Sequence, residues 1–68
     1  MNMSNYRILT KNAAKRVVKP GMAHAEAYQA ILIDADKRGH SLLSWGGADD
    51  CIRSILREMN ITDNANEE

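Results

Sequence analysis

Apolar residues recur at helical spacing in three stretches of this chain, separated by turn-forming residues. In the first, NYRILTKNAAKRVV (5–18), Tyr6, Leu9, Ala13 and Val17 share one face when successive residues are set about 100° apart. Ser4 is the side-chain N-cap candidate for this helix. Pro20 and Gly21 stop it, because proline disfavours a helical conformation at the preceding Lys19. A rival reading turns residues 6–18 into a short hairpin of YRIL and RVVK, on the strength of the β-branched pair Val17-Val18. The Ala13-Ala14 centre and the 3.6-residue period favour the helix.

The second stretch, MAHAEAYQAILIDADKR (22–38), is rich in strong helix formers, and its apolar arc is Ala25, Tyr28, Ile31, Leu32 and Ala35. Lys37 and Arg38 suit the negative end of the helix dipole, and Gly39 is the left-handed stop. HSLLSWGG (40–47) follows, too apolar for a solvated loop and read as a helical turn or short extended piece over the core. Gly46-Gly47 gives a permissive lead into the third stretch, ADDCIRSILREM (48–59). There Ala48, Cys51, Ile52, Ile55, Leu56 and Met59 share a face, and Asp49 and Asp50 occupy the first turn. Asp49 and Arg53 form an acid-first i,i+4 pair. Asn60 reads as the C-terminal cap, with Ile61 folding back onto the last turn.

The pattern predicts an all-α, three-helix domain over 1–61 and a disordered acidic tail over 62–68. Its expected core is Leu9, Val17, Tyr28, Ile31, Leu32, Leu43, Trp45, Ile52, Ile55 and Leu56. A 68-residue chain buries only about 60% of the surface its unfolded form exposes, so such a core is marginal. The single cysteine excludes an intrachain disulfide, and His24, His40 and Cys51 form no short-spaced metal-binding pair. The remaining common route to stability is a homodimer or a larger partner. No apolar run approaches the roughly 20 residues of a membrane span. The first residues contain no signal-type apolar region, and with a lone thiol the expected compartment is a reducing cytoplasm.

The formal net charge is zero, but the charge is uneven. Residues 1–20 carry Arg7, Lys11, Lys15, Arg16 and Lys19 and no acid, while the tail carries Asp63, Glu67 and Glu68. Arg7, Lys11 and Lys15 recur at i, i+4 and i+8, opposite the apolar face of the first helix. Lys19 extends the stripe and Arg16 flanks it. Such a stripe docks an acidic protein surface or tracks a phosphate backbone, or else it is a solvated face. A neutral total and an acidic tail weigh against nucleic acid. Ile33 falls among Glu26, Gln29, Asp36 and Lys37 on the polar side of the second helix, where it suits a contact with a partner or second subunit. Trp45 reads first as a lid on the core and second as an interface anchor.

No catalytic or cofactor motif is present, and neither glycine-bearing turn matches a phosphate-binding loop. His24 reads as half-buried, His40 as a turn residue, and Cys51 as a small hydrophobe on an apolar face. Ala27–Arg57 overlays a helix-turn-helix only loosely. After the Gly39 turn, Leu42-Leu43-Ser44-Trp45 is too apolar for a recognition helix. The functional expectation is a non-enzymatic, cofactor-free binding module of inhibitor or adaptor type that occupies the surface of a larger protein. Arg7, Lys11, Lys15, Arg16, Lys19, Ile33 and Trp45 are its candidate contact residues. The second expectation is a nucleic-acid-binding module using the first helix. Chains of this size are common among phage and mobile-element regulators, a prior that no residue here carries.

Overall fold

The computed structural model describes residues 3–61, and the tail expected to be disordered lies outside them. Three helices, α1 (Met3–Val17), α2 (His24–Lys37) and α3 (Ala48–Glu58), are joined by a Pro-Gly turn and by a connector containing a 3-10 turn at Leu42–Ser44. Each helix packs on the other two, most extensively α1 on α2, and the 3-10 turn touches both α2 and α3. The hairpin alternative for 6–18 is excluded, since the segment is helical through Val17. Ser4 lies inside α1 and is therefore not its N-cap.

The helix ends follow their sequence signals closely. At the end of α2, Gly39 has φ 84° and donates its amide to Asp36 O at 3.0 Å, while the His40 amide donates to Ala35 O at 2.9 Å. This is a Schellman motif, which satisfies carbonyls that the helix leaves open. The same motif ends α3: Asn60 takes φ 66°, its amide donates to Arg57 O at 3.0 Å, and the Ile61 amide donates to Leu56 O at 2.8 Å. That geometry folds Ile61 back into the core at 6% exposure, where it covers the last turn. After α1, Met22 N–H donates to Lys19 O at 3.2 Å and Gly21 has φ 85°, a type II turn with proline at its second position. Neither α2 nor α3 receives a side-chain cap at its start.

The core is thin. Among the described residues twelve apolar ones are buried, and five of them, Ala13, Ala14, Ala27, Ala35 and Ala48, are alanines, so methyl groups make up much of the core beside a few large side chains. Ile31, Leu42, Ile52 and Leu56 are its largest fully buried apolar side chains. Thr10 is also fully buried, and its hydroxyl donates to Tyr6 O at 2.7 Å. Bonding back to the preceding turn lets a β-branched polar residue occupy an apolar face without an unpaired donor.

Several expected core positions differ. Ala25 is exposed and Ala27 is buried, because the inward face of α2 is the line Ala27, Ile31, Ala35. Leu43 is 63% exposed and Leu42 is buried, since two adjacent leucines in one tight turn cannot both point inward. Val17, Tyr28, Leu32 and Trp45 are half-buried at the margin of the core rather than at its centre, and Leu9 is half-buried too. Trp45 stacks on Tyr6, with ring centroids 5.1 Å apart and planes 14° apart. A Cβ at Gly47 would lie 3.2 Å from Trp45 Cε2 and Cζ2, so this glycine leaves room for the indole.

The leucine pair gives the first prediction. Leu42→Ala should destabilise the domain by about 2–5 kcal/mol in urea denaturation, and Leu43→Ala by no more than about 0.5 kcal/mol. Equal losses would contradict the observed orientation of the turn.

Candidate interaction faces

Two arginine–aspartate clusters tie the helices together at the surface. Asp34 of α2 accepts a hydrogen bond from Arg16 Nε of α1 at 2.9 Å, with a second Arg16 nitrogen at 2.7 Å. Arg38 Nε lies 3.4 Å from the same carboxylate oxygen, one turn along α2. Asp49 of α3 accepts a 2.7 Å bond from the Tyr28 hydroxyl of α2 and is gripped by Arg53 Nε at 3.0 and 3.1 Å. The i,i+4 pair expected from sequence is thus present, with an added bond across the interface. His24 stands beside this cluster, its ring 6.2 Å from that of Tyr28.

These contacts set the charge states. The Arg16 hydrogen bond, assisted by the Arg16 and Arg38 charges, holds the Asp34 carboxyl below the ordinary aspartate range. Hydrogen bonds from Tyr28 and Arg53 do the same for Asp49. Burial first, and then the bond to Asp49, push the Tyr28 phenol up. Cys51 is buried, and burial pushes its thiol up despite the Arg7 and Lys11 charges and the Thr10 hydroxyl, which act in the opposite direction. A raised thiol pKa lowers the thiolate fraction on which cysteine reactivity depends. Among the described residues, no group of three or more His, Cys, Asp or Glu is placed to hold a metal ion.

The clusters also determine which cations are left. Arg16, Arg38 and Arg53 are engaged, so Arg16, expected at the edge of the basic stripe, joins α1 to α2. Arg7, Lys11 and Lys15 are exposed along α1, with Lys19 exposed beyond its end. None of the four forms an ion pair with a described residue. Ile8 is 56% exposed on the same side of α1, three and seven residues before Lys11 and Lys15. The face therefore combines three cations with an aliphatic side chain.

A second face lies on α2. Ile33 is 53% exposed and lines a groove of about 460 Å³ with Leu32, Leu42, Leu43, Asp36 and Lys37. Trp45, the other candidate anchor, is the half-buried partner of Tyr6 and does not line this groove. A smaller hollow of about 300 Å³ lies between the Pro-Gly turn and the end of α3, lined by Val18, Lys19, Pro20, Gly21, Met59 and Ile61, among others.

No known family, curated protein or solved structure matches this chain. Its two faces are thus defined by geometry alone. Sequence reasoning singled out the stripe and Ile33, overlooked Ile8, and assigned Leu43 to the core. The signal for Ile8 was the one used for Ile33, an aliphatic residue on the polar arc of a helix.

The carboxylate clusters give the second prediction. A carboxylate with a depressed folded-state pKa stabilises the fold fully above its unfolded value of about 4. That contribution is lost as the pH falls through the folded value. Urea denaturation between neutral and strongly acidic pH should therefore show stability falling on the acid side. Asp34→Asn and Asp49→Asn should each flatten that fall. An unchanged acid limb in both variants would mean that the clusters do not contribute.

Proposed function

We propose that this chain is a non-enzymatic helical binding module that covers an acidic, partly apolar surface of a larger protein with α1. The observation that carries the reading is the face formed by Arg7, Ile8, Lys11 and Lys15. Its cations are exposed and make no ion pairs with described residues, while Arg16, Arg38 and Arg53 are held by Asp34 and Asp49. Across eight residues of helix, about 12 Å, the stripe presents charge at regular intervals. Such charge steers encounter with an acidic surface, and an aliphatic side chain among the cations adds an apolar contact that loses water on docking. An inhibitor or adaptor role fits this arrangement, since binding requires only that the face be rigid and accessible.

Nucleic acid is the second reading, supported by the i, i+4, i+8 spacing of the cations. Ile8 favours protein, because a phosphate backbone offers an exposed aliphatic side chain no apolar counterpart.

The test is affinity capture from the native host's lysate, with and without nuclease, using the parent and a triple variant, Arg7→Glu with Lys11→Glu and Lys15→Glu. The variant should stay folded, since exposed substitutions each shift stability by no more than about 0.5 kcal/mol. The parent should retain a protein through nuclease treatment, and the triple variant and Ile8→Asp should both lose it. A partner lost on nuclease treatment favours the nucleic-acid reading. A folded triple variant that captures the same protein as well as the parent overturns the role of the face.

A further inference from the structure

We infer that the outward face of α2 is a self-complementary surface that pairs two copies of this chain antiparallel. Glu26, Ala30, Ile33 and Lys37 stand at i, i+4, i+7 and i+11, one straight line along the helix and away from the buried line Ala27, Ile31, Ala35. The line has opposite charges at its ends, about 16 Å apart along the helix axis, and two apolar residues between them. Glu26, Ile33 and Lys37 are exposed, and neither charge forms an ion pair with a described residue.

A two-fold axis at the level midway between Ile31 and Leu32 turns this line onto itself. Residue 26 then lies opposite 37 and residue 30 opposite 33, each twice, as an interface between identical patches requires. Glu26 of each copy meets Lys37 of the other, and each Ile33 meets the small side chain of Ala30. A parallel arrangement about a two-fold axis would set like charge against like. The groove beside Ile33 extends the surface, since Leu43 stands exposed across it from Ile33 and would cover part of the second helix. The zero net charge of the chain adds no overall repulsion between copies. This surface is on α2 and does not depend on the reading of α1.

Sedimentation of the purified chain at low salt across the micromolar range tests the pairing, with circular dichroism checking that each variant is folded. The parent should be a reversible dimer. Ile33→Asp should make it monomeric, and Glu26→Lys and Lys37→Glu should each weaken association on the order of tenfold by placing like charges opposite each other. An equimolar mixture of Glu26→Lys and Lys37→Glu chains should form mixed dimers, because each mixed pair restores both attractions. The chain carrying both changes should associate like the parent. A parent that stays monomeric overturns the inference. So does a dimer indifferent to Ile33→Asp, or a mixture that associates no better than its separate components.

Discussion

Ala13 and Ala14 on α1 and Ala27 and Ala35 on α2 are buried in one core, on the two helices that pack on each other most extensively, and small side chains there permit the close approach on which the packing of this domain rests. A chain of this length has few large apolar residues to bury, and among the described residues only Ile31, Leu42, Ile52 and Leu56 are large, apolar and fully enclosed. Dispersion between closely packed surfaces falls steeply with separation, so small side chains and near contact substitute for bulk. Thr10 fits the same constraint: it is compact, and its hydroxyl returns to the Tyr6 carbonyl, so it can be enclosed without an unpaired donor.

Close approach also brings charged residues of different helices together. Arg16 reaches Asp34 only because α1 lies directly on α2, and Tyr28 reaches Asp49 because α2 lies against α3. These contacts hold the Asp34 and Asp49 carboxylates at the seams between helices. The outer side of α1, which has no acid of its own, is left with cations alone. The accessible basic face is thus a consequence of how the bundle closes, and the proposed docking role builds on it.

Much of this was legible in the residues. The three helices, the Gly39 stop, the Asn60 cap with Ile61 folded back and the Asp49–Arg53 pair all follow from local spacing and local chemistry. What was not legible depends on neighbours distant in sequence. Ala25 and Ala27 are equally apolar, and only the position of α1 decides which is enclosed. Leu42 and Leu43 are identical until the turn assigns one inward. The Arg16–Asp34 pair spans eighteen residues, so no spacing rule marks it, and it engages the arginine expected at the edge of the stripe. The stripe itself and Ile33 were visible as violations or repetitions of helix periodicity, whereas the groove beside Ile33 exists only once the connector is folded against α2.

The dependence on near contact is tested most directly by enlarging an alanine at the centre of the packing. Ala27 is fully buried, and leucine has the higher apolar content, so a loosely packed site would gain stability from Ala27→Leu. The close approach described here predicts the reverse, a loss of about 1–3 kcal/mol in the free energy of urea unfolding as the added side chain forces α2 away from its neighbours. A variant as stable as the parent, or more so, would contradict it.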